Sequence, residues 1–307
     1  MKVYHSFEGF PKLDKPVVTI GNFDGVHLGH KHVLESLVSH GVDGFESVVI
    51  TFWPHPRRIL NPESANFKFL TSITEKIELL QEIGIGHLII LPFDLQMGEM
   101  TAHEFVQKIL IEGVRARKVI LGYDHRFGKD RAGGLDFLQK HNNRYNLILE
   151  EIPKKEVDNI GISSSKIKSF LIEGKISEAN LLLGRNYSIT GKVVEGKKLG
   201  RTIGFPTANI QLEFEEKLLP GIGVYAVRIF HNGKQFKGMM NIGYRPTVLG
   251  INLSLEVHIF DFSEDIYGKF ISIEFIEFIR AESKFPSLEE LKLQLKTDKI
   301  SALNFLN

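Results

Sequence analysis

The sequence predicts an α/β domain with a mostly parallel sheet, followed by a small antiparallel β-barrel with a C-terminal helix. The chain has 307 residues, which favours two domains over one. From residue 16 to about residue 184, apolar runs alternate with segments of helical periodicity, whereas from residue 187 onward the hydrophobic period is two. The predicted domains, 1–184 and 185–307, meet where the period changes.

Strands and helices alternate in the first predicted domain. The apolar runs VVTIG, SVVITFW, HLIILPF, KVILG and NLILEEI are typical of buried strands. Capping-box spacings from Ser72 to Glu75 and from Thr101 to Glu104 predict two helix starts. Because such alternation gives a parallel sheet whose ligands bind at the carboxyl ends of the strands, we expect the catalytic loops directly after strands.

Alternating strands dominate the second predicted domain. The runs YSITGKVV, GVYAVRIF, QFKGMMNIG, LSLEVHIFDF and KFISIEFIEFI have a period of two. Asn232 and Gly233 predict a two-residue hairpin turn between the second and third of these runs. The spacing from Ser287 to Glu290 predicts the start of a final amphipathic helix.

The composition argues against several classes of protein. The absence of cysteine excludes disulfides, thiolate zinc sites, iron–sulfur clusters and cysteine nucleophiles. Lysine and arginine number 38 against 37 acidic residues, and neither half has the basic surplus expected of a nucleic-acid binder. No apolar run approaches the length of a membrane span, and the first residues lack the apolar core of a signal peptide. We therefore expect a cytoplasmic protein without a nucleic-acid or membrane partner; nothing in the sequence indicates its oligomeric state.

The stretch TIGNFDGVHLGHKHV combines glycines with clustered histidines directly after a predicted strand. His27 and His30 stand three apart at the start of a helical pattern and therefore share one face of its first turn. A helix start offers backbone N–H groups and the positive end of the helix dipole. Gly21, Gly25 and Gly29 permit a tight turn and a close approach of ligand to backbone. Together these features predict a phosphate-binding loop.

Two other interpretations of these histidines remain open from the pattern alone. His27, His30 and His32 could bind a metal, although no carboxylate completes a familiar ligand spacing. Alternatively, the histidines merely cap or solvate the helix, which is the expected role of His32 in any case.

Three further loops lie at predicted strand ends or helix starts. TFWPHPR and GYDHRFG each follow a predicted strand, and GISSSKIK precedes a helix. In the last of these, a serine can cap the helix while a lysine lies one turn further on, so backbone and charge together could hold an anion. These loops favour a nucleotide site at the strand ends of the first domain.

A second polar cluster lies in the predicted barrel. Thr207 and Asn209 in GRTIGFPTAN are two apart, so on an extended segment they point the same way and can supply oxygen ligands to Mg²⁺ carrying nucleotide phosphates. Glu256 lies on the face opposite the aliphatic stripe of LSLEVHIFDF. There a carboxylate can accept a proton from a substrate hydroxyl, although periodicity alone favours a solvated glutamate.

These motifs resemble two known families in order along the chain. GNFDGVHLGH resembles the GxFDxxHxGH signature of the nucleotidyltransferase superfamily, which implies a Rossmann-like first domain. GRTIGFPTAN, GVYAV, NIGYRPT, LEVHIFDF and DIYGK resemble riboflavin kinase. The fused pair is similar to the prokaryotic bifunctional riboflavin kinase/FAD synthetase family over nearly the whole chain.

The resemblance implies a kinase step in the second domain, in which MgATP phosphorylates riboflavin to FMN. Glu256 would be the base, and Thr207 and Asn209 would hold Mg²⁺ and phosphate. The glycine loop from Gly196 to Gly204 would cover the nucleotide, with Gly200 and Gly204 as binding residues, and Arg245 would help to organise the flavin site.

The resemblance also implies that the first domain joins FMN to the AMP part of a second ATP, giving FAD and pyrophosphate. His27 and His30 would bind the ATP phosphates and stabilise the leaving pyrophosphate, together with Lys168. The other implied residues are Asn22, Asp24, Gly29, Ser164 and Ser165 for ATP, and Asp124 for the flavin.

Three positions depart from the family pattern. Lys168 stands where the family carries arginine, His125 where it often has phenylalanine, and Glu195 where a histidine commonly begins the kinase's glycine loop. Since lysine keeps the charge but loses the bidentate fork, a riboflavin kinase with weak or absent adenylyltransferase activity is an alternative. A non-catalytic flavin-binding regulator, with RNA as its candidate target, is a second alternative, against which the balanced charge argues.

Overall fold

The computed structural model describes residues 1–61, 67–157, 160–196, 199–247 and 250–307, and within these ranges it leaves aside the side chains of residues 160, 199, 245–247 and 250–252. Contacts divide the chain into two units, Met1–Ser164 and Ser165–Asn307.

A parallel six-stranded sheet forms the centre of the first unit, in the order β1-β4-β3-β2-β5-β6. Its strands are β1 (Lys2–Tyr4), β2 (Pro16–Ile20), β3 (Glu46–Trp53), β4 (His87–Pro92), β5 (Lys118–Gly122) and β6 (Ile148–Ile152). All five residues of β2 are buried, as expected for a central strand covered on both faces. The five apolar runs predicted as strands correspond to β2 through β6, so the predicted parallel α/β fold is confirmed.

Helices cover both faces of this sheet. They are α1 (Leu28–Ser39), α2 (Pro56–Leu60), α3 (Ile73–Ile83), α4 (Leu95–Gly98), α5 (Ala102–Phe105), which continues as a π-helical segment (Val106–Gly113), α6 (Leu135–Lys140) and α7 (Asn142–Tyr145). Short 3₁₀ turns occupy His40–Asp43 and Lys129–Arg131, and β7 (Glu156–Val157) pairs with β8 (Ile160–Gly161). Both predicted capping boxes are present, at the starts of α3 and α5.

Two apolar cores lie on opposite faces of the sheet because neighbouring strand residues alternate in direction. Val18 and Val48 belong to the core that contains the π-helical segment. Val17 and Val49 belong to the core that contains α1 and α3. This arrangement fixes the sheet rigidly between the helix layers, so the loops after the strands start from fixed positions.

The second unit is a closed antiparallel barrel with helices at both ends of its sequence. Its elements are α8 (Ser164–Ile172), α9 (Ile176–Leu183), β9 (Tyr187–Val194), α10 (Leu199–Thr202), β10 (Ala208–Leu212), β11 (Gly223–His231), β12 (Lys234–Thr247), β13 (Gly250–Ile259), β14 (Phe270–Arg280) and α11 (Leu288–Leu306). The barrel order is β10-β13-β12-β11-β14-β9. The predicted barrel with a terminal helix is confirmed.

Local signals and long-range pairing both contribute to this barrel. Asn232 and Gly233 have positive φ angles of 49° and 73° and close the β11–β12 hairpin as predicted. Ser287 caps α11 by accepting a hydrogen bond from the N–H of Glu290. The period-two pattern did not mark β10, a strand of only five residues. β10 nevertheless closes the barrel, because it pairs with β13 on one side and β9 on the other.

Candidate active sites

The first candidate site lies where the strand order of the parallel sheet reverses. β2 is followed along the chain by β3 on one side, whereas its neighbour on the other side is β5. The connections that leave β2 and β5 therefore diverge and open a crevice at their carboxyl ends, which is where doubly wound sheets bind ligands. The loop of Asn22 and Asp24 follows β2, and the exposed Asp124 follows β5.

The loop after β2 is a tight turn held by Asp24. Phe23, Gly25 and Val26 have φ angles of 47°, 89° and 39°, an unusual run of left-handed conformations. The buried Asp24 accepts hydrogen bonds through Oδ1 from the N–H groups of Leu70 and Thr71, at 2.8 and 3.3 Å. These two bonds to a distant segment fix the position of Asp24 and with it the shape of the loop. This buried anchor supports the strained turn, since such conformations persist only where surrounding contacts determine them.

His27 and His30 lie together at the first turn of α1, as their spacing predicted. His27 is the N-cap, and its Nδ1 accepts the His30 N–H at 3.2 Å. Because Nδ1 accepts, the proton of a neutral His27 ring is on Nε2, which is then a donor. The two rings stack with centroids 3.6 Å apart and planes 12° apart. A Cβ on Gly29 would lie only 3.2 Å from the His27 ring, so glycine gives this ring its space.

The other predicted residues of this site are distributed over two segments. The Ser164 hydroxyl donates to the carbonyl oxygen of Asp24 at 2.8 Å, which ties the last residue of the first unit to the turn after β2. The carbonyl oxygen of Asn22 accepts from the hydroxyl of Thr51 at 3.4 Å. Ser165 and Lys168 lie on α8 within the second unit, and their roles remain predictions from the motif.

Lys76 is a buried cation near this turn that the sequence motifs did not identify. Its side chain is 2% exposed, and Nζ donates to Thr51 Oγ1 at 3.4 Å. Burial lowers the pKa of Lys76 to about 8, and the nearby carboxylate of Asp24 partly opposes this shift. One signal was available: Lys76 shares a helix face with Leu80 and Ile83, so a lysine occupies the apolar stripe of α3.

We expect Lys76→Met to alter the pH dependence of stability. The folded pKa of about 8 lies below the ordinary value of 10.5, so between these values the unfolded chain holds a proton that the folded chain has lost. The free energy of unfolding of the native chain then rises with pH, at most by about 1.4 kcal/mol per unit from this group. The variant lacks this contribution. Urea unfolding of the native chain and the variant from about pH 7 to about pH 10 gives the free energy of unfolding at each pH. An equal dependence of this free energy on pH in the two chains would contradict the prediction.

His125, one of the three departures from the family pattern, lies beside Asp124 in the loop after β5. Burial lowers the pKa of His125 to about 4, with a smaller contribution from Arg131, so the ring is neutral at pH 7. Its Nε2 is buried and has no hydrogen-bond partner within the described part of the chain. The ring lies 6.2 Å from Phe127, so it packs partly as an aromatic residue would.

The second candidate site lies on the outer face of the barrel, around Glu256. Glu256 on β13 is only 9% exposed, although periodicity alone favoured a solvated side chain. Thr207 Oγ1 donates to Glu256 Oε2 at 3.2 Å, and Ser254 Oγ donates to Glu256 Oε1 at 2.9 Å. These two hydroxyls hold the carboxylate in one orientation. It lines a cavity of 630 Å³ that is large enough for a drug-sized ligand.

Thr207 and Asn209 lie beside this carboxylate, as the predicted site requires. Asn209 is the direct partner of Glu256 in the β10–β13 register. A Cβ on Gly196 would overlap the Asn209 amide, and a Cβ on Gly200 would overlap the carbonyl oxygen of Phe205. Gly204 has a φ of 83°, which favours glycine. The glycine loop therefore approaches the polar cluster closely at its described residues; residues 197 and 198 lie outside them.

Two other positions complete the description of the predicted residues. Arg245 belongs to β12, but its side chain lies outside the described residues. Glu195 is exposed at the end of β9. Sequence reasoning missed His258, whose Nδ1 lies 2.7 Å from the carbonyl oxygen of Pro206 and which also lines the cavity. Burial lowers the pKa of His258, so a neutral ring that donates from Nδ1 holds the segment before Thr207.

Metal binding by clustered side chains was one interpretation of His27, His30 and His32. In the described residues, no group of three or more histidine, cysteine, aspartate or glutamate side chains is placed to hold a metal ion. Within the same residues, no helix is both long and apolar enough to cross a membrane.

Comparison with protein families assigns each half of the chain. Residues 10–166 match the FAD synthetase family, and residues 183–306 match the riboflavin kinase family. A curated relative from Haemophilus influenzae, a bifunctional riboflavin kinase/FMN adenylyltransferase, is 39% identical over 94% of this chain and 94% of its own. The chain belongs to the bifunctional riboflavin kinase/FMN adenylyltransferase family. Both catalytic domains of that family are present, and the resemblance stated from the motifs is confirmed.

Other relatives agree in length as well as identity. The bifunctional enzyme of Listeria monocytogenes is 38% identical over 92% of this chain and 90% of its own. A crystal structure described as a macrolide-efflux protein from Streptococcus pneumoniae superposes with a TM-score of 0.90 at 31% identity and covers 98% of each chain. The fold of this family member is therefore shared over both domains with a solved structure.

Proposed function

We propose that the barrel unit converts riboflavin to FMN and that the parallel-sheet unit, with the motif residues of α8, converts FMN to FAD. The assignment of the kinase reaction depends chiefly on one observation, the carboxylate of Glu256 held by two hydroxyls at the wall of a large cavity. The functional boundary is proposed at residues 184 and 185, within the first residues of the riboflavin kinase match, which begins at residue 183.

In the proposed kinase step, the 5′-oxygen of riboflavin attacks the γ-phosphorus of ATP. The new P–O bond forms as the bond from the γ-phosphorus to the β–γ bridging oxygen breaks, and ADP leaves. Glu256 accepts the proton of the attacking hydroxyl, since its carboxylate is oriented and lines the cavity. Gly200 and Gly204 let the nucleotide approach the backbone, and Arg245 is retained as a flavin-binding residue. Such reactions depend mainly on positioning and charge neutralisation.

The residues beside Glu256 fit Mg²⁺. Thr207 and Asn209 offer hard oxygen ligands, and Mg²⁺ that is carried by substrate phosphates needs only one or two protein groups. The hydrogen bond from Thr207 to Glu256 supports this assignment, because it holds the hydroxyl beside the proposed base. When bound, the ion would offset the negative charge of the phosphates.

In the proposed adenylyl transfer, a phosphate oxygen of FMN attacks the α-phosphorus of ATP. The bond from the α-phosphorus to the α–β bridging oxygen breaks, and pyrophosphate leaves. No protein base is required because a phosphate monoester is already ionised near pH 7. Donors and cations near the developing charge therefore supply the catalysis, a role we propose for His27 and His30 at the start of α1.

Further residues of this site follow from the family motif and their positions. Asn22, Asp24 and Gly29 shape the nucleotide loop, and Asp124 belongs to the flavin side. Ser164, Ser165 and Lys168 are proposed phosphate-binding residues of the ISSSKIK motif. We also propose a cytoplasmic enzyme that acts on small molecules alone, which its balanced charge supports.

A product assay tests the whole proposal. We expect the purified chain with Mg²⁺, ATP and riboflavin to form FMN first and FAD afterwards, separated by chromatography. FMN that never becomes FAD would support the narrower kinase function that Lys168 and His125 motivate. Failure to form FMN, combined with tight RNA binding, would support the regulator instead.

A further inference from the structure

Three polar side chains form a row across adjacent strands on the outer face of the barrel. Glu256 on β13 is the direct partner of Asn209 on β10 and, on its other side, of Asn241 on β12. Directly opposed residues of antiparallel strands project to the same face, with Cβ atoms about 5 Å apart. An amide therefore flanks the carboxylate on each side. Asn209 is a candidate Mg²⁺ ligand from the sequence, whereas Asn241, the first residue of NIGYRPT, received no role there.

The two amides have different surroundings. On the Asn209 side lies the glycine loop, since Gly196 packs directly against its amide. On the Asn241 side the row continues through Val224 on β11, the register partner of Asn241, which also lines the cavity. Val224 adds apolar surface of the kind that a flat aromatic ring system requires, next to the charged side chains of Arg280 and Glu282, which also line the cavity.

Helix α11 adds to the apolar wall on the same side. It packs against β11, β12 and β14. Its residues Leu288, Leu291 and Leu295 line the cavity. The two sides of Glu256 therefore differ: the glycine loop and the Thr207 hydroxyl lie on the Asn209 side, and the apolar residues of α11 lie on the Asn241 side.

The amide of Asn241 is available to a ligand. Asn241 lines the cavity, and its side-chain amide makes no hydrogen bond within the part of the chain that the structure describes, although its backbone belongs to the ladders of β12. A Cβ on Gly243 would overlap Glu282 Oε1 and would lie 3.1 Å from Asn241 Nδ2, so the glycine lets both polar side chains approach the backbone there. An amide offers both donors and an acceptor, and a hydroxyl likewise both donates and accepts.

We propose that Asn241 binds the hydroxyl-bearing chain of riboflavin and presents its 5′-hydroxyl to Glu256. The proposal rests on the proposed kinase site. The amide Nδ2–H donates to the substrate oxygen, which leaves the substrate O–H directed at the carboxylate. Asn241 thereby selects acceptors that carry a polyol chain, while Asn209 serves the nucleotide.

Kinetics of FMN formation by the full chain test this assignment. In Asn241→Ala we expect the KM for riboflavin to rise about threefold to tenfold, the range that one net hydrogen bond supplies, with the KM for ATP unchanged. Lumiflavin has the same ring system without the polyol chain. As a competitive inhibitor of the same reaction, it should keep its inhibition constant in the variant. Asn209→Ala should show the opposite pattern, with a raised KM for ATP.

Each other outcome overturns the assignment. An unchanged KM for riboflavin means that Asn241 does not bind the chain, and an equal rise in the lumiflavin constant means that the variant has altered the ring pocket. A raised KM for ATP in Asn241→Ala would place this amide on the nucleotide side. Failure of the kinase site itself is distinguished by Glu256→Gln, because FMN formation that survives that change refutes the site whatever Asn241 does.

Discussion

Glu256→Gln is expected to reduce FMN formation by about 10²-fold to 10⁴-fold, the contribution of a positioned general base. Glutamine keeps the size of the side chain and can accept hydrogen bonds from Thr207 and Ser254, but it cannot take up the substrate proton. The residues proposed for adenylyl transfer are different ones, so the conversion of supplied FMN to FAD should be unchanged. Both rates are measured on the same preparation by chromatography of the flavins.

Glu264→Gln provides a matched control for this substitution. Glu264 is exposed in the segment between β13 and β14 and does not line the cavity, so the same loss of charge should leave both rates unaltered. Equal loss of both activities in Glu256→Gln would show that the change damages the whole chain. FMN formation at the native rate would show that Glu256 is not the base.

His30→Ala should have the reverse effect and lower FAD formation from FMN by about 10²-fold to 10³-fold, as loss of a donor to developing charge does in other enzymes. His30 lies in the first turn of α1, and its ring stacks on His27 at 3.6 Å. Phosphorylation of riboflavin should continue at the native rate. Release of pyrophosphate from supplied FMN and ATP measures the first effect, and FMN formation from riboflavin measures the second.

Two further variants separate chemistry from helix capping. His32→Ala, in the same helix, should retain both activities because His32 has no proposed role. His27→Asn replaces one N-cap residue by another good one, so α1 should still begin correctly while the imidazole donor is lost. Full adenylyltransferase activity in both His30→Ala and His27→Asn would contradict the phosphate role of this pair.

Much of the fold and part of each site could be predicted from local sequence. Buried strands were predicted because short unbroken or alternating apolar runs are typical of strands in a covered sheet, and helix starts because a capping serine or threonine bonds within three residues. His27 and His30 were placed together because they lie within one helical turn. These interactions join residues near one another along the chain, so spacing is enough to predict them.

Contacts between segments that are far apart in the sequence could not be predicted from local spacing. Asp24 holds the turn after β2 by bonding the N–H groups of Leu70 and Thr71, and Lys76 is buried beneath the same turn. No spacing in the sequence encodes such partners.

The sequence by itself determined the two fold types, the histidine-capped helix start at which phosphate binding is proposed, and the carboxylate opposite the aliphatic stripe. Only the tertiary structure placed Asn241 across from Glu256, because the register of β12 against β13 depends on how the whole barrel closes. The burial of Glu256 also depends on the tertiary structure. Alternation along β13 decides which face of the strand a side chain takes, but the helix and loops that cover that face come from elsewhere in the chain.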